Sequence, residues 1–113
     1  MNLSEKNIDW LYSNYIGIYY IHSKWKENMY NNLLNHIPSK NIINTYINED
    51  EACIDLNNGT KIKICPETSF LGSRFHKTYY EPGTSQEIID TLIRPCMVYN
   101  YPQEITIVKE ENE

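Results

Sequence analysis

Between Tyr15 and Ile21 the chain reads YIGIYYI. A run that is β-branched or aromatic at almost every position favours a strand, and with so little polarity that strand is expected to be buried. Such a strand needs neighbours, because a sheet hides its apolar face only against another layer. The flanking sequence offers candidates. Ser4 can cap a first helix through about Asn14, with Ile8, Leu11, Tyr12 and Tyr15 near one face. Ser23 can cap a second helix whose apolar stripe is Trp25, Met29, Leu33 and Ile37, supported by Tyr30 and Leu34 and ended by Pro38.

Strand signals follow. Ile42 to Ile47 is one, and ACIDL (52–56) with TKIKI (60–64) forms a hairpin around Asn57-Asn58-Gly59. Ile62 and Ile64 alternate with Lys61 and Lys63, so one face of that arm is wet and the other buried. Pro66 to Ser73 reads as a loop and Phe75 to Tyr80 as another strand. Thr84 with Glu87 makes a capping box for a helix whose apolar face is Ile88, Ile89, Leu92 and Ile93, stopped by Pro95. Ile105 to Val108 closes the chain as a short strand, and residues 109–113 form an acidic, frayed tail. The order α-β-α-β-β-β-β-α-β predicts a single α/β (or α+β) domain over residues 1–113, a mixed sheet of about five to six short strands with three helices. A chain of 113 residues suits one domain with a limited core.

Fifteen acidic residues against ten Lys and Arg give a formal charge of −5. That balance argues against an electrostatic nucleic-acid binder, whose footprint is a basic face. Glu49-Asp50-Glu51 and the tail read as a solvated loop and a frayed end, too sparse to imitate DNA phosphates. Cys53, Cys65 and Cys96 are odd in number and widely spaced, which predicts reduced core thiols. No apolar run is long enough to span a bilayer and no signal peptide is evident, so the expectation is a soluble, cytoplasmic protein.

The densest basic–aromatic cluster is Arg74, His76 and Lys77 with Tyr79, Tyr80 and the following Glu81. A guanidinium can grip phosphate in two places and tyrosine can stack on a base, so Arg74, His76, Lys77, Tyr80 and Glu81 are the candidate ligand-binding residues. Strand alternation alone would also produce this pattern. His22, His36 and His76 with the three cysteines lack the paired spacing of a zinc site, and neither metal nor cofactor is expected. Cys65 beside Pro66 is the one candidate nucleophile. Asp55 with the hairpin lysines has the outline of a divalent-metal nuclease site, but no acid-x-lysine pair completes it. Tyr12, Tyr15, Tyr19, Tyr20, Tyr99 and Tyr101 exceed what a small core can bury with every hydroxyl satisfied, so a tyrosine surface suited to self-association or docking is expected.

LNNGTKIKICPETSFLGSRFHKTYYEPGTSQEIIDTLIRPCM, residues 56–97, resembles the Walker B segment of phage large-terminase and helicase-like ATPases. The resemblance puts Asn58-Gly59 at the hairpin turn, Ser69, Gly72 and Arg74 in the glycine–basic turn, Glu81 at the metal-binding acid and Gln86 to Arg94 in the following helix. The departures are pronounced. Pro82 stands where the family has its water-activating glutamate, and proline accepts no proton. No G-x-x-x-x-G-K-[ST] occurs, and IHSKWKENMYN, where that loop would lie, contains no glycine; His22, Ser23 and Lys24 are an imperfect substitute. The resemblance implies a degenerate, non-catalytic relative: a phage or mobile-element accessory protein acting by binding. Its expected partner is a host defence protein, as inhibitor or decoy, or a nucleotide signal that it sequesters. The alternatives are a nuclease or nucleotide hydrolase using Glu81 and Asp55, and a virion or packaging accessory protein.

Overall fold

The computed structural model describes residues 15–97 and a two-residue strand at 103–104. Along the chain run β1 (Tyr15–Tyr19), α1 (Ser23–His36), β2 (Ile42–Ile47), β3 (Ala52–Leu56), β4 (Lys61–Cys65), α2 (Glu67–Phe70), β5 (Lys77–Tyr80), α3 (Gln86–Ile88) and β6 (Gln103–Glu104). The strands form one sheet in the order β2-β3-β4-β1-β5-β6. β1 is parallel to both β4 and β5, β6 is parallel to β5, β3 is antiparallel to β4, and β2 is antiparallel to β3 at the edge. The fold is thus the mixed-sheet α/β class expected. The helix expected at Ser4–Asn14, the strand at Ile105–Val108, the tail at 109–113 and Tyr12, Tyr99 and Tyr101 lie outside the described residues.

β1 lies between two cores, which is why its sequence shows so little polarity. Ile16, Ile18 and Tyr20 pack with Met29, Tyr30, Leu33 and Ile37 of the α1 segment and with Ile54, Ile62, Ile64 and Tyr79. Tyr19 belongs to the second core with Cys65, Phe70, Phe75, Ile89, Leu92, Ile93, Cys96 and Met97. Gly17 belongs there by alternation. A Cβ at this position would lie 2.6 Å from the Phe75 ring, so glycine is what lets that ring rest on the strand.

The hairpin expectation holds: Gly59 adopts φ 93° between β3 and β4, its N–H donating to the Leu56 carbonyl. Lys61 is exposed and Lys63 half-buried, while Ile62 and Ile64 are buried, as their alternation predicted. Several boundaries differ. Pro66 to Ser73 is not all loop, because Glu67–Phe70 makes a helical turn that drives Phe70 into the second core. β5 starts at Lys77, since Phe75 makes only an isolated bridge to Met97. Ser85, not Thr84, caps α3: its side chain accepts the Ile88 N–H, whereas the Thr84 hydroxyl donates to the Glu81 carbonyl at 2.7 Å. Ser23 is the first helical residue of α1 rather than its cap, and His22, in the cap position, offers no side-chain bond to the helix. Nor does Pro95 stop the third helix where expected. The run widens into a π-turn over Ile89–Ile93 and tightens into a 3-10 turn at Arg94–Cys96, where Pro95 occupies an early position that needs no N–H. Among the described residues no helix is long and apolar enough to cross a membrane.

Candidate functional site

The carboxyl ends of β1 and β5 mark a switch point. The chain leaves β1 toward β4 on one side and leaves β5 toward β6 on the other. Crevices of this kind, with a helix N-terminus beside them, are where parallel sheets take up anionic ligands. Here Glu81 occupies the place. Only 5% of Glu81 is exposed. Its Oε1 accepts the N–H of Ile21 at 2.7 Å and of His22 at 3.0 Å, and its Oε2 lies 2.5 Å from His22 Nδ1. These are the amides of the turn that leads into α1, so the carboxylate sits where the helix dipole favours negative charge.

Local sequence fixes that arrangement. The Glu81 N–H donates to the Tyr19 carbonyl, extending β5 alongside β1 by one residue. Pro82 and Gly83 then make a tight turn closed by Thr84 N–H to Glu81 C=O, with Gly83 at φ 97°. Proline followed by a positive-φ glycine is a type II turn pattern. Pro82 is therefore the residue that aims the chain away after Glu81. The carboxylate is thereby held over β1, and the imidazole of His22, 71% exposed, covers it from solvent.

The predicted ligand-binding residues do not form one cluster. Tyr80 and Glu81 lie at the carboxyl end of β5, and Arg74, His76 and Lys77 at its amino end, so His76 and Glu81 are about 16 Å apart at about 3.3 Å per residue. Arg74 is exposed, and among the described residues no ion pair engages its guanidinium. His76 is tied to β1: its N–H donates to the Tyr15 carbonyl and its Nδ1 accepts the Tyr15 N–H at 3.1 Å. Lys77 is half-buried, and burial pulls the pKa of its ammonium below the ordinary lysine value. Tyr80 packs against the second core.

Asp55 stands level with Tyr15 in the register through Lys61, whereas Glu81 lies beyond Tyr19 and three strands across. Their separation is on the order of 20 Å, far too great for the two acids to share one metal. Asp55 instead faces Lys61 at 3.8 Å and Asn44 at 3.5 Å. Among the described residues no three His, Cys, Asp or Glu side chains come together as a metal cluster. Cys65 is fully buried and burial pushes its thiol up to about 12, so it is no nucleophile. Glu49-Asp50-Glu51 is no loose acidic loop: Asn48 Oδ1 accepts the N–H of Asp50 and Glu51, and Glu51 pairs with Lys63 at 3.3 Å.

Lys26 carries a role that sequence reasoning passed over. It is 1% exposed and donates from Nζ to the carbonyls of Asn48 at 2.5 Å and Glu49 at 2.9 Å. The ammonium also lies 5.4 Å from the Tyr20 ring, whose hydroxyl donates to the Asp50 carbonyl. Lys26 and Tyr20 together fasten the β2–β3 turn to α1 and β1. The signal was present, for Lys26 falls one turn before Met29 and Tyr30 on the buried stripe of α1.

Compared with protein-family models, with curated protein sequences and with solved structures, the chain matches none.

Proposed function

We propose that this is a non-catalytic accessory protein of a phage or mobile element, acting in the host cytoplasm by binding a host defence protein as inhibitor or decoy. The observation that carries the reading is the internal engagement of Glu81. The anion position at the mouth of the β1–α1 turn is filled by the protein's own carboxylate, held by two backbone N–H groups and His22. A phosphate would have to expel a nearly buried acid, and a metal would have to compete with three existing contacts. The turn also supplies no glycine, and of the two lysines in the first turn of α1, Lys26 is held by Asn48 and Glu49 while Lys24 is exposed to solvent. The phage and anti-defence part rests on the resemblance of residues 56–97 to a Walker B segment.

The division of the basic–aromatic cluster between the two ends of β5 favours a protein target over a sequestered nucleotide. Thermal melts of the purified chain with ATP, cyclic nucleotides and Mg²⁺ test this. Unchanged melting temperatures and no ATP turnover are expected. A stabilising nucleotide whose binding is lost in Arg74→Ala would transfer the reading to nucleotide sequestration. ATP hydrolysis abolished by Glu81→Gln would refute the non-catalytic reading altogether.

A further inference from the structure

β2 is the outermost strand on its side of the sheet, and among the described residues nothing pairs with its outer edge. Natural proteins protect such edges with charged residues, especially lysine, or with proline. β2, reading IINTYI, has neither; its one irregularity, a register shift between Ile42 and Asn44, falls at its start and leaves Thr45–Ile47 regular. Beyond Ile42 every residue of the strand is exposed, Ile43 to 67%. The bond from Asn48 N–H to the Glu51 carbonyl and the pairs Tyr46↔Cys53 and Asn44↔Asp55 fix which backbone groups β3 uses. By the alternation of an antiparallel ladder, the N–H and C=O of Thr45 and Ile47 point outward.

We propose that this edge pairs with the same edge of a second copy of the chain, antiparallel about a two-fold axis through Thr45, joining the two sheets into one. The axis keeps each sheet face on its own side, so the pairing can be written out residue by residue. Thr45 meets Thr45 and exchanges two backbone hydrogen bonds. Asn44 of one copy lies beside Tyr46 of the other, and the register shift at Ile43 leaves that apolar side chain near the partner copy's Ile47. Past the strand ends the ladder stops, Ser39–Asn41 turning as a 3-10 helix and residues 48–51 as a tight turn, so the Lys40 end of each copy lies toward the Glu49-Asp50 turn of the other.

The charges identify the occupant. The strand itself is uncharged; Lys40 precedes it and Glu49 and Asp50 follow it, all three exposed. Antiparallel self-pairing brings the basic end of each copy to the acidic turn of the other, twice over. A parallel copy would instead set like charges together. A cavity of about 490 Å³ beside Ile47, lined also by Lys26, Glu27, Tyr30 and Glu49, opens at that same end. Lys26 and Tyr20 brace the acidic turn from within, so the docking end is already in place before pairing. The inference goes beyond the proposed function and is independent of which host protein is bound.

Sedimentation velocity of the full chain from micromolar to several hundred micromolar tests the pairing. A reversible dimer is expected, weakened by salt. Ile43→Lys should leave the circular dichroism spectrum unchanged and shift the chain to monomer. Lys40→Glu should raise the dimer Kd about tenfold, as two reversed exposed pairs would. The double variant Lys40→Glu with Asp50→Lys should return the Kd to near the original value. A chain that stays monomeric throughout, a dimer indifferent to Ile43→Lys, or a charge swap that fails to restore pairing would overturn the proposal.

Discussion

Gly17 and Phe75 show how much a single hydrogen in place of a methyl group can decide. The Phe75 ring lies where a Cβ on residue 17 would be, packed also against Tyr15 at 4.6 Å and Phe70 at 4.8 Å between centroids. The ring is fully buried and has aromatic neighbours on both sides, so it cannot swing clear. Gly17→Ala is therefore expected to cost about 1–3 kcal/mol, read as a lower urea midpoint with an unchanged m-value. Coupling it with Phe75→Leu should recover part of the loss. The sequence did carry a sign of this contact, a lone glycine within a β-branched run, because glycine weakens a strand unless something approaches closely. Which ring approaches was not readable, since fifty-odd residues of chain separate the two. Glu81 is a similar case. Its importance was legible from its place at the end of a strand, but its partners, the N–H groups of Ile21 and His22, come from a turn far away in sequence.

Elements in this protein are held to one another by a few polar ties as well as by their apolar faces. In the β2–β3 hairpin β3 lies in the first core through Ala52, Ile54 and Leu56, whereas β2 is exposed along nearly its whole length. What anchors its turn is Lys26, reaching out of α1 to two of its carbonyls. Lys26→Met should keep the packing of the stem and lose both bonds, destabilising the fold by about 1–3 kcal/mol. Hydrogen exchange should locate the effect, with protection falling first at residues 48–51 and hardly at all in β1. The extents of the strands were the most legible feature at this scale: Ile42–Ile47 and Ala52–Leu56 lie where their composition placed them. Helix ends were least legible. Thr84 and Ser85 are both competent caps, and the choice was made by the Pro82-Gly83 turn, which gives the Thr84 hydroxyl to Glu81 and leaves Ser85 for the helix. The turn Glu67–Phe70 was missed because one helical turn is too short to show a periodicity; only its single apolar anchor, Phe70, needs it.

For the molecule as a whole, the sequence of elements sufficed to give the class but not the strand order, because parallel pairing links segments with no local signal between them. The same long-range packing buries three free cysteines, and this gives the fold an alkaline limit. Burial raises the thiols of Cys53 to about 11 and of Cys65 to about 12 from an ordinary 9.0, and raises the phenols of Tyr19, Tyr20 and Tyr79 above 10.0. Below about pH 9 these thiols are neutral in both folded and unfolded chains, and their contribution to stability is complete. Above it the unfolded chain releases protons first, so stability declines as pH rises toward the folded-state values. Urea midpoints should be flat from pH 7 to 8.5 and then fall steadily, and Cys65→Ala, though less stable at pH 7, should fall less steeply. The central strand, β1, leaves the ribosome before either partner exists, and β4 and β5 follow only after residues 61 and 77. At about 5–20 residues per second, Tyr15–Tyr19 waits for seconds with both edges bare, while the β3–β4 hairpin can close in about 1–10 μs once made. Synthesis and assembly thus run in opposite order, and the strand that organises the finished sheet is the one that most needs shielding during translation.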